Sequence, residues 1–180
     1  EYAWYVTNSW DLGEKYPHRV GQKMPNPWGV CDMHGNAWEL CQDRLAPFGG
    51  NKVLSDPIGP AEGQMRVVRG GSVADQPWNV RCVKRFPVTL HRTSPIWGFR
   101  VALSVPGTAE KLAAEKAAIL AGDPITNMLD MTFNMIPAGT FLMGSPESEE
   151  DREDDETQHK VTISKPFYMQ TTEVTQGQWK

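Results

Sequence analysis

The chain contains no apolar run approaching the roughly 18 residues of a membrane span. It shows no basic-then-apolar leader either: it opens Glu1-Tyr2-Ala3-Trp4-Tyr5, so no signal peptide is visible. Cysteine is scarce. Cys31, Cys41 and Cys82 are odd in number and show no C-x-x-C spacing, so neither zinc nor a thioredoxin-type motif is indicated. Cys31 and Cys41 could bridge or stay as free buried thiols. Positive charge is not in excess: 18 Lys+Arg against 22 Asp+Glu leave a net charge of -4, which gives no case for nucleic acid as a partner. A phosphate loop of the G-x-x-x-x-G-K-[ST] type is missing, and no internal repeat occurs within the 180 residues. None of these absences fixes a compartment.

What is present reads as globular. Hydrophobic residues make up 39% and charged residues 22%, close to average for a soluble domain. Charge is unevenly placed. Residues 1–106 carry 12 Lys+Arg and 9 Asp+Glu, whereas 107–180 carry 6 and 13. Six of the seven Trp precede residue 107. This shift divides the chain into 1–106, a linker over 107–130, and 131–180. Within the linker, Thr108 to Gly122 is rich in Ala, Leu, Glu and Lys and predicts a short helix, stopped by Gly122-Asp123-Pro124. Residues 66–69, 99–103, 133–136, 140–143 and 160–164 are rich in Val, Ile, Phe and Thr and predict short strands. With 16 Gly and 14 Pro, the remainder reads as long loops packed around indole rings.

Three segments carry chemistry. The first is Pro25-Asn26-Pro27-Trp28-Gly29-Val30-Cys31-Asp32-Met33-His34-Gly35-Asn36-Ala37-Trp38-Glu39-Leu40-Cys41-Gln42-Asp43. Asp32 and Glu39 are hard oxygen ligands flanking a Gly-Asn turn, which could aim backbone carbonyls at a calcium ion. Equally, Asp32 could cap the turn while Glu39 sits on a solvated face; this is no EF-hand pattern. The second is Arg66-Val67-Val68-Arg69-Gly70-Gly71-Ser72, a strand entering a Gly-Gly turn where the backbone can pass close to another element. The third is Met135-Ile136-Pro137-Ala138-Gly139-Thr140-Phe141-Leu142-Met143-Gly144-Ser145. Behind it, Glu147 to Glu156 holds eight carboxylates and one Arg in ten residues, and reads as a solvated, mobile loop or a low-affinity cation site. His18, His34, His91 and His159 are scattered and read as structural histidines.

Taken together, "IPAGTFLMGS", the Val161-to-Trp179 stretch with its "TEVT", "NPWG" through "DMHGNAWE", "RGGS" and "GFRVA" resemble the formylglycine-generating enzyme family, also called the sulfatase-modifying factor domain. The resemblance covers nearly the whole chain apart from the linker. Its order is reversed: residues 1–106 resemble the family's closing half and 131–180 its opening part. The reading favoured is a window across two tandem domains. The alternative is one circularly permuted domain with a shortened middle. The resemblance implies an α+β, loop-rich variant of the C-type lectin fold.

The resemblance also implies a structural calcium held by Asp32 and Glu39 side chains and by the carbonyls of Gly35 and Ala37. It places Trp38, Ser72 and Asp75 along the family's ligand groove. True formylglycine-generating enzymes use a pair of copper(I)-binding cysteines shortly after the "GGS" turn. Here those positions fall at Asp75 and near Pro77, so copper is not expected, and Cys82 reads as structural. The function expected is a non-catalytic ligand- or protein-binding or scaffold module, stabilised by calcium, with a tandem neighbour domain as an implied partner. The alternative is a formylglycine-generating oxidoreductase acting on a sulfatase cysteine, with activity carried by another domain copy.

Overall fold

The computed structural model describes residues 1–47, 53–89, 91–104 and 124–175. Twelve short strands occur among them: β1 (Trp38–Arg44), β2 (Leu54–Ser55), β3 (Met65–Arg69), β4 (Arg85–Thr89), β5 (Trp97–Phe99), β6 (Ala102–Ser104), β7 (Ile125–Thr126), β8 (Thr132–Ile136), β9 (Gly139–Met143), β10 (His159–Ile163), β11 (Phe167–Gln170) and β12 (Val174–Thr175). Helical structure among the described residues is confined to single 3-10 turns at Val6–Asn8, Trp10–Leu12 and Pro77–Asn79. The molecule is therefore mostly strand and loop. The expected helix at 108–122 lies outside the described residues. The end of the expected linker is not helical: Ile125 and Thr126 pair with Phe133 and Thr132 as an edge strand, where β-branched side chains fit the pleat.

Each predicted strand is present, within a residue or two, except that 99–103 is divided. Phe99 closes β5 and Ala102 opens β6, with Arg100 and Val101 turning between two sheets. That break places the Arg100 side chain in the interior.

The strands form three sheets, in the orders β12-β5-β1-β3-β4, β2-β10-β9 and β6-β11-β8-β7. Every sheet mixes strands from both sides of residue 107. In the first, Val174 and Thr175 pair antiparallel with Phe99 and Gly98. In the second, Val161 and Thr162 run parallel to Leu54 and Ser55. In the third, Phe167 to Met169 pair with Ser104 to Ala102. The apolar core clusters Trp38, Val68 and Val88, with Ile96 and Trp97 packed against them. Alternation in β10 follows the pleat: His159 and Val161 are buried while Lys160 is exposed.

Two glycines explain how loops pass this closely. Gly35 has φ +74°, and a Cβ there would stand 1.9 Å from the carbonyl oxygen of Trp4. Gly71 has φ +77°, and a Cβ would meet Val80 Cγ1 at 2.5 Å, so the Gly-Gly turn permits the close approach expected of it.

The acidic run corrects an expectation. It does not stand free as a solvated loop, because it is docked on the basic segment 81–85. Arg81 binds Glu149 at 2.8 Å and Glu156 at 3.0 Å, Arg85 binds Asp155 at 3.0 Å, and Lys84 pairs with Glu153. Ser145 Oγ also donates to Glu156 at 2.9 Å. Burial pushes the Glu156 carboxyl up, but hydrogen bonds from Arg81 and Ser145 outweigh it and hold the group below the usual range. Glu147, Glu150, Asp151 and Asp154 remain exposed.

Candidate functional site

The turn that joins Asp32 to Glu39 is built from left-handed residues. Asp32 (φ 55°), Gly35 (φ 74°) and Asn36 (φ 60°) curl the backbone between the 26–31 loop and β1. Asn36 fixes the turn to its neighbours and is fully buried. Its Oδ1 accepts from His18 N at 2.8 Å, its Nδ2 donates to Glu173, and its backbone N donates to Trp4 O at 2.8 Å.

Arg100 occupies the centre. Its guanidinium grips Glu39 from Nε and Nη2, the latter at 2.6 Å, and donates to the carbonyls of Gln170 at 3.0 Å and Cys31 at 2.9 Å. Glu173 Oε2 lies 3.7 Å from Nη2. Asp32 Oδ2 accepts from Gly21 N at 2.7 Å. Glu39 and Glu173 thus flank one buried cation, and the Asp32 charge acts on it as well. Two of their oxygens, Asp32 Oδ1 and Glu173 Oε2, are buried without a hydrogen-bond partner. Burial, with the Asp32 charge adding to it, pushes the Glu173 carboxyl up to about 8. Burial also raises Asp32, opposed by the Gly21 hydrogen bond and by Arg100.

Of the four residues expected to hold calcium, Asp32, Gly35 and Ala37 lie in the turn and Glu39 in β1. Among the described residues, no three His, Cys, Asp or Glu side chains converge as a metal site, so any calcium here must also draw on backbone carbonyls. The donor chemistry fits in one definite respect: Asp32 Oδ1 is a hard, buried and unpartnered oxygen. Glu39 is already shared with Arg100.

The expected groove residues lie elsewhere. Trp38 is buried in the core, and Ser72 is fully buried beneath the Gly-Gly turn. Indole burial and turn closure place both inside the fold and not on an open wall. Asp75 caps that turn. Its Oδ2 accepts from Ser72 N at 3.0 Å and from Ser72 Oγ, and its carbonyl accepts from Val6 N at 3.0 Å.

A sizeable open groove lies elsewhere among the described residues. A groove of about 670 Å³ runs between β9, β10 and β11 and the 26–33 loop. Trp28, Met33, Phe141, Met143, Phe167 and Met169 make it strongly apolar. Arg69 and Cys82 stand on its wall. Cys31, Cys41 and Cys82 are all free thiols. They differ in environment: burial pushes Cys41 up to about 11, whereas a hydrogen bond with His34 lowers Cys82.

Sequence reasoning missed Arg100, Glu173 and the His34–Cys82 pair as site residues. Arg100 and Glu173 were visible only as letters of the "GFR" and "TEVT" segments. His34 and Cys82 lie 48 residues apart, and no local spacing connects them.

The model of the sulfatase-modifying factor enzyme 1-like domain matches residues 2–105 and 122–180. The chain is 36% identical over 90 residues to the serine/threonine-protein kinase pkn1 of Chlamydia pneumoniae, a match covering 45% of this chain and 14% of that protein. It is 43% identical over 49 residues to the formylglycine-generating enzyme of Streptomyces coelicolor, covering 27% of this chain and 16% of that one. For the Bos taurus formylglycine-generating enzyme the identity is 31% over 100 residues, covering 54% and 27%. The matched region is thus 14–27% of the length of these relatives. Among solved structures, Treponema denticola variable protein 1 superposes with a TM-score of 0.50 at 34% identity, covering 54% of this chain and 34% of that chain. With that domain's model matched over most of the described residues, the chain is a member of the sulfatase-modifying factor enzyme 1-like (FGE-sulfatase) family.

Proposed function

We propose that this chain is a binding or scaffold module of that family and does not itself form formylglycine. The observation that carries this reading is Asp75. Where the family resemblance implies a copper-binding thiolate, a carboxylate instead closes the Ser72 turn. A hard oxygen already held by two donors is a poor substitute for a soft thiolate. The apolar groove of about 670 Å³ is of the size and lining that small-molecule sites share, and it is the ligand site of this proposal. Incubation with a Cys-x-Pro-x-Arg peptide, copper and oxygen is expected to give no formylglycine by mass spectrometry. Copper-dependent product from this chain would sink the proposal.

Calcium belongs to the same proposal as a structural ion, held by Asp32, Gly35, Ala37 and Glu39. It is supported by the orphaned Asp32 oxygen. Replacing Glu39 would also break its pair with Arg100, so Asp32→Asn is the cleaner test. Calcium should raise the melting temperature of the wild type and not of D32N. An unchanged wild-type melt with calcium and with chelator removes calcium from the account.

A second reading has its own support. Two of the relatives carry the name formylglycine-generating enzyme. A further copy of the domain with an intact cysteine pair would give a longer protein that activity, with this copy as its partner.

A further inference from the structure

On the groove wall, Cys82 Sγ lies 3.5 Å from His34 Nε2. The other ring nitrogen, Nδ1, is 2.7 Å from the carbonyl oxygen of Val80. A carbonyl only accepts, so Nδ1 carries a proton and Nε2 faces the thiol as a base. Arg69, also on the wall, donates through Nη2 to the Cys82 carbonyl at 2.6 Å, which brings a guanidinium to the same residue. Cys82 is exposed, so a reagent can reach it. This is the arrangement of an activated nucleophile: thiol, oriented base and adjacent positive charge.

We propose that Cys82, with His34 as its base, covalently captures apolar α,β-unsaturated carbonyl compounds bound in the groove. The proposal rests on the binding reading for the groove and adds the ligand's chemical class. The groove selects an apolar chain, and the thiol requires an electrophile. Neither Cys31 nor Cys41 lines the groove, so no second thiol stands on the wall to complete a disulfide exchange. Conjugate addition needs no oxidant and no leaving group. His34 Nε2 takes the Cys82 proton, and the thiolate bonds to the β-carbon. The alkene π pair shifts into the bond between the α-carbon and the carbonyl carbon, and the carbonyl π pair moves to the oxygen, giving an enolate. The imidazolium then returns its proton to the α-carbon, leaving a neutral His34 and a thioether.

The test treats the full chain with trans-2-octenal or with acrylamide, a polar reagent of the same reaction type, and maps adducts by peptide mass spectrometry. At pH 7 the Cys82 adduct should form at least about tenfold faster than those at Cys31 and Cys41. Octan-1-ol, inert and apolar, should slow octenal addition at Cys82 and leave acrylamide addition unchanged. His34→Gln should slow both reagents about tenfold at pH 7 and move the pH–rate midpoint up toward the free-thiol value of about 8.5. If H34Q does not fold, the wild-type midpoint decides: it must lie below that value. Equal rates at the three cysteines, an octanol-insensitive octenal reaction or a free-thiol midpoint each overturn the proposal. Tryptophan fluorescence of C82S titrated with octan-1-ol separates the two ideas. Saturable binding without a wild-type adduct ends the capture proposal and leaves the binding reading intact. No binding and no adduct end both.

Discussion

Arg100 and Arg81 join the same two parts of the chain, 1–104 and 124–175, by contrasting means. Arg100 is 4% exposed and faces Glu173 at 0% and Glu39 at 15%. Arg81 is 16% exposed and faces Glu149 at 34%, while its neighbours pair with Glu153 and Asp155, both about half exposed. The first cluster is desolvated, so its charges are costly alone and strongly coupled together. The second is wetter: solvent and salt weaken its pairs with Glu149, Glu153 and Asp155, and only Glu156 is buried against Arg81. One holds the interior to a single arrangement; the other fastens an acidic loop to a basic edge. The opposite net charges of the two parts have a structural cause in that second contact.

The largest effect should come from Arg100→Ala. It leaves Glu39 and Glu173 without their cation and should destabilise by about 3–5 kcal/mol in urea melts. A loss under about 1 kcal/mol would mean the cluster is solvated and the contrast is wrong. Arg81→Ala should cost less, about 1–2 kcal/mol, because only Glu156 is left buried beside it. Raising salt to about 0.5 M should erase part of the Arg81 effect and little of the Arg100 effect.

The two clusters should also respond to pH in opposite senses. Glu173, ordinarily near 4.5, titrates near 8 in the folded protein. Between those values the folded state holds a proton that the unfolded chain has released, so stability falls as pH rises through the window. Glu173→Gln should flatten that slope. Glu156 is held below 4.5, so its contribution is present above that value and is lost as pH falls through the folded pKa. Asp155→Asn should sit at the small end, within about 0.5 kcal/mol, since its partner bond is exposed.

The contrast also explains what the sequence made legible. Strands such as β3 and β9 declare themselves through local runs of Val, Phe and Thr between glycines. The Gly70-Gly71 turn was readable for the same reason: its cause is local. The acidic run was misread because charge is local but its partner is not, and Arg81 lies 75 residues from Glu156. Trp38 and Ser72 were placed on a groove by resemblance, whereas packing puts them inside. Asp32 and Glu39 flank one turn, as their spacing in the sequence implies, but Glu39 belongs to β1 and pairs with Arg100. The Arg100 cation between Glu39 and Glu173 could be found only once β5 and β6 had parted around it.

These clusters support a proposal for the domain organisation: residues 124–175 complete the same unit that 1–104 begins, as in a circular permutation. Hydrogen exchange of the whole chain tests this most directly. Amides of β12 and β11 should exchange only through the same global opening as those of β1 and β3, with one shared dependence on denaturant. Fast, unprotected exchange throughout 124–175 while β1 and β3 stay protected would contradict it, and would make the two parts fragments of separate domains.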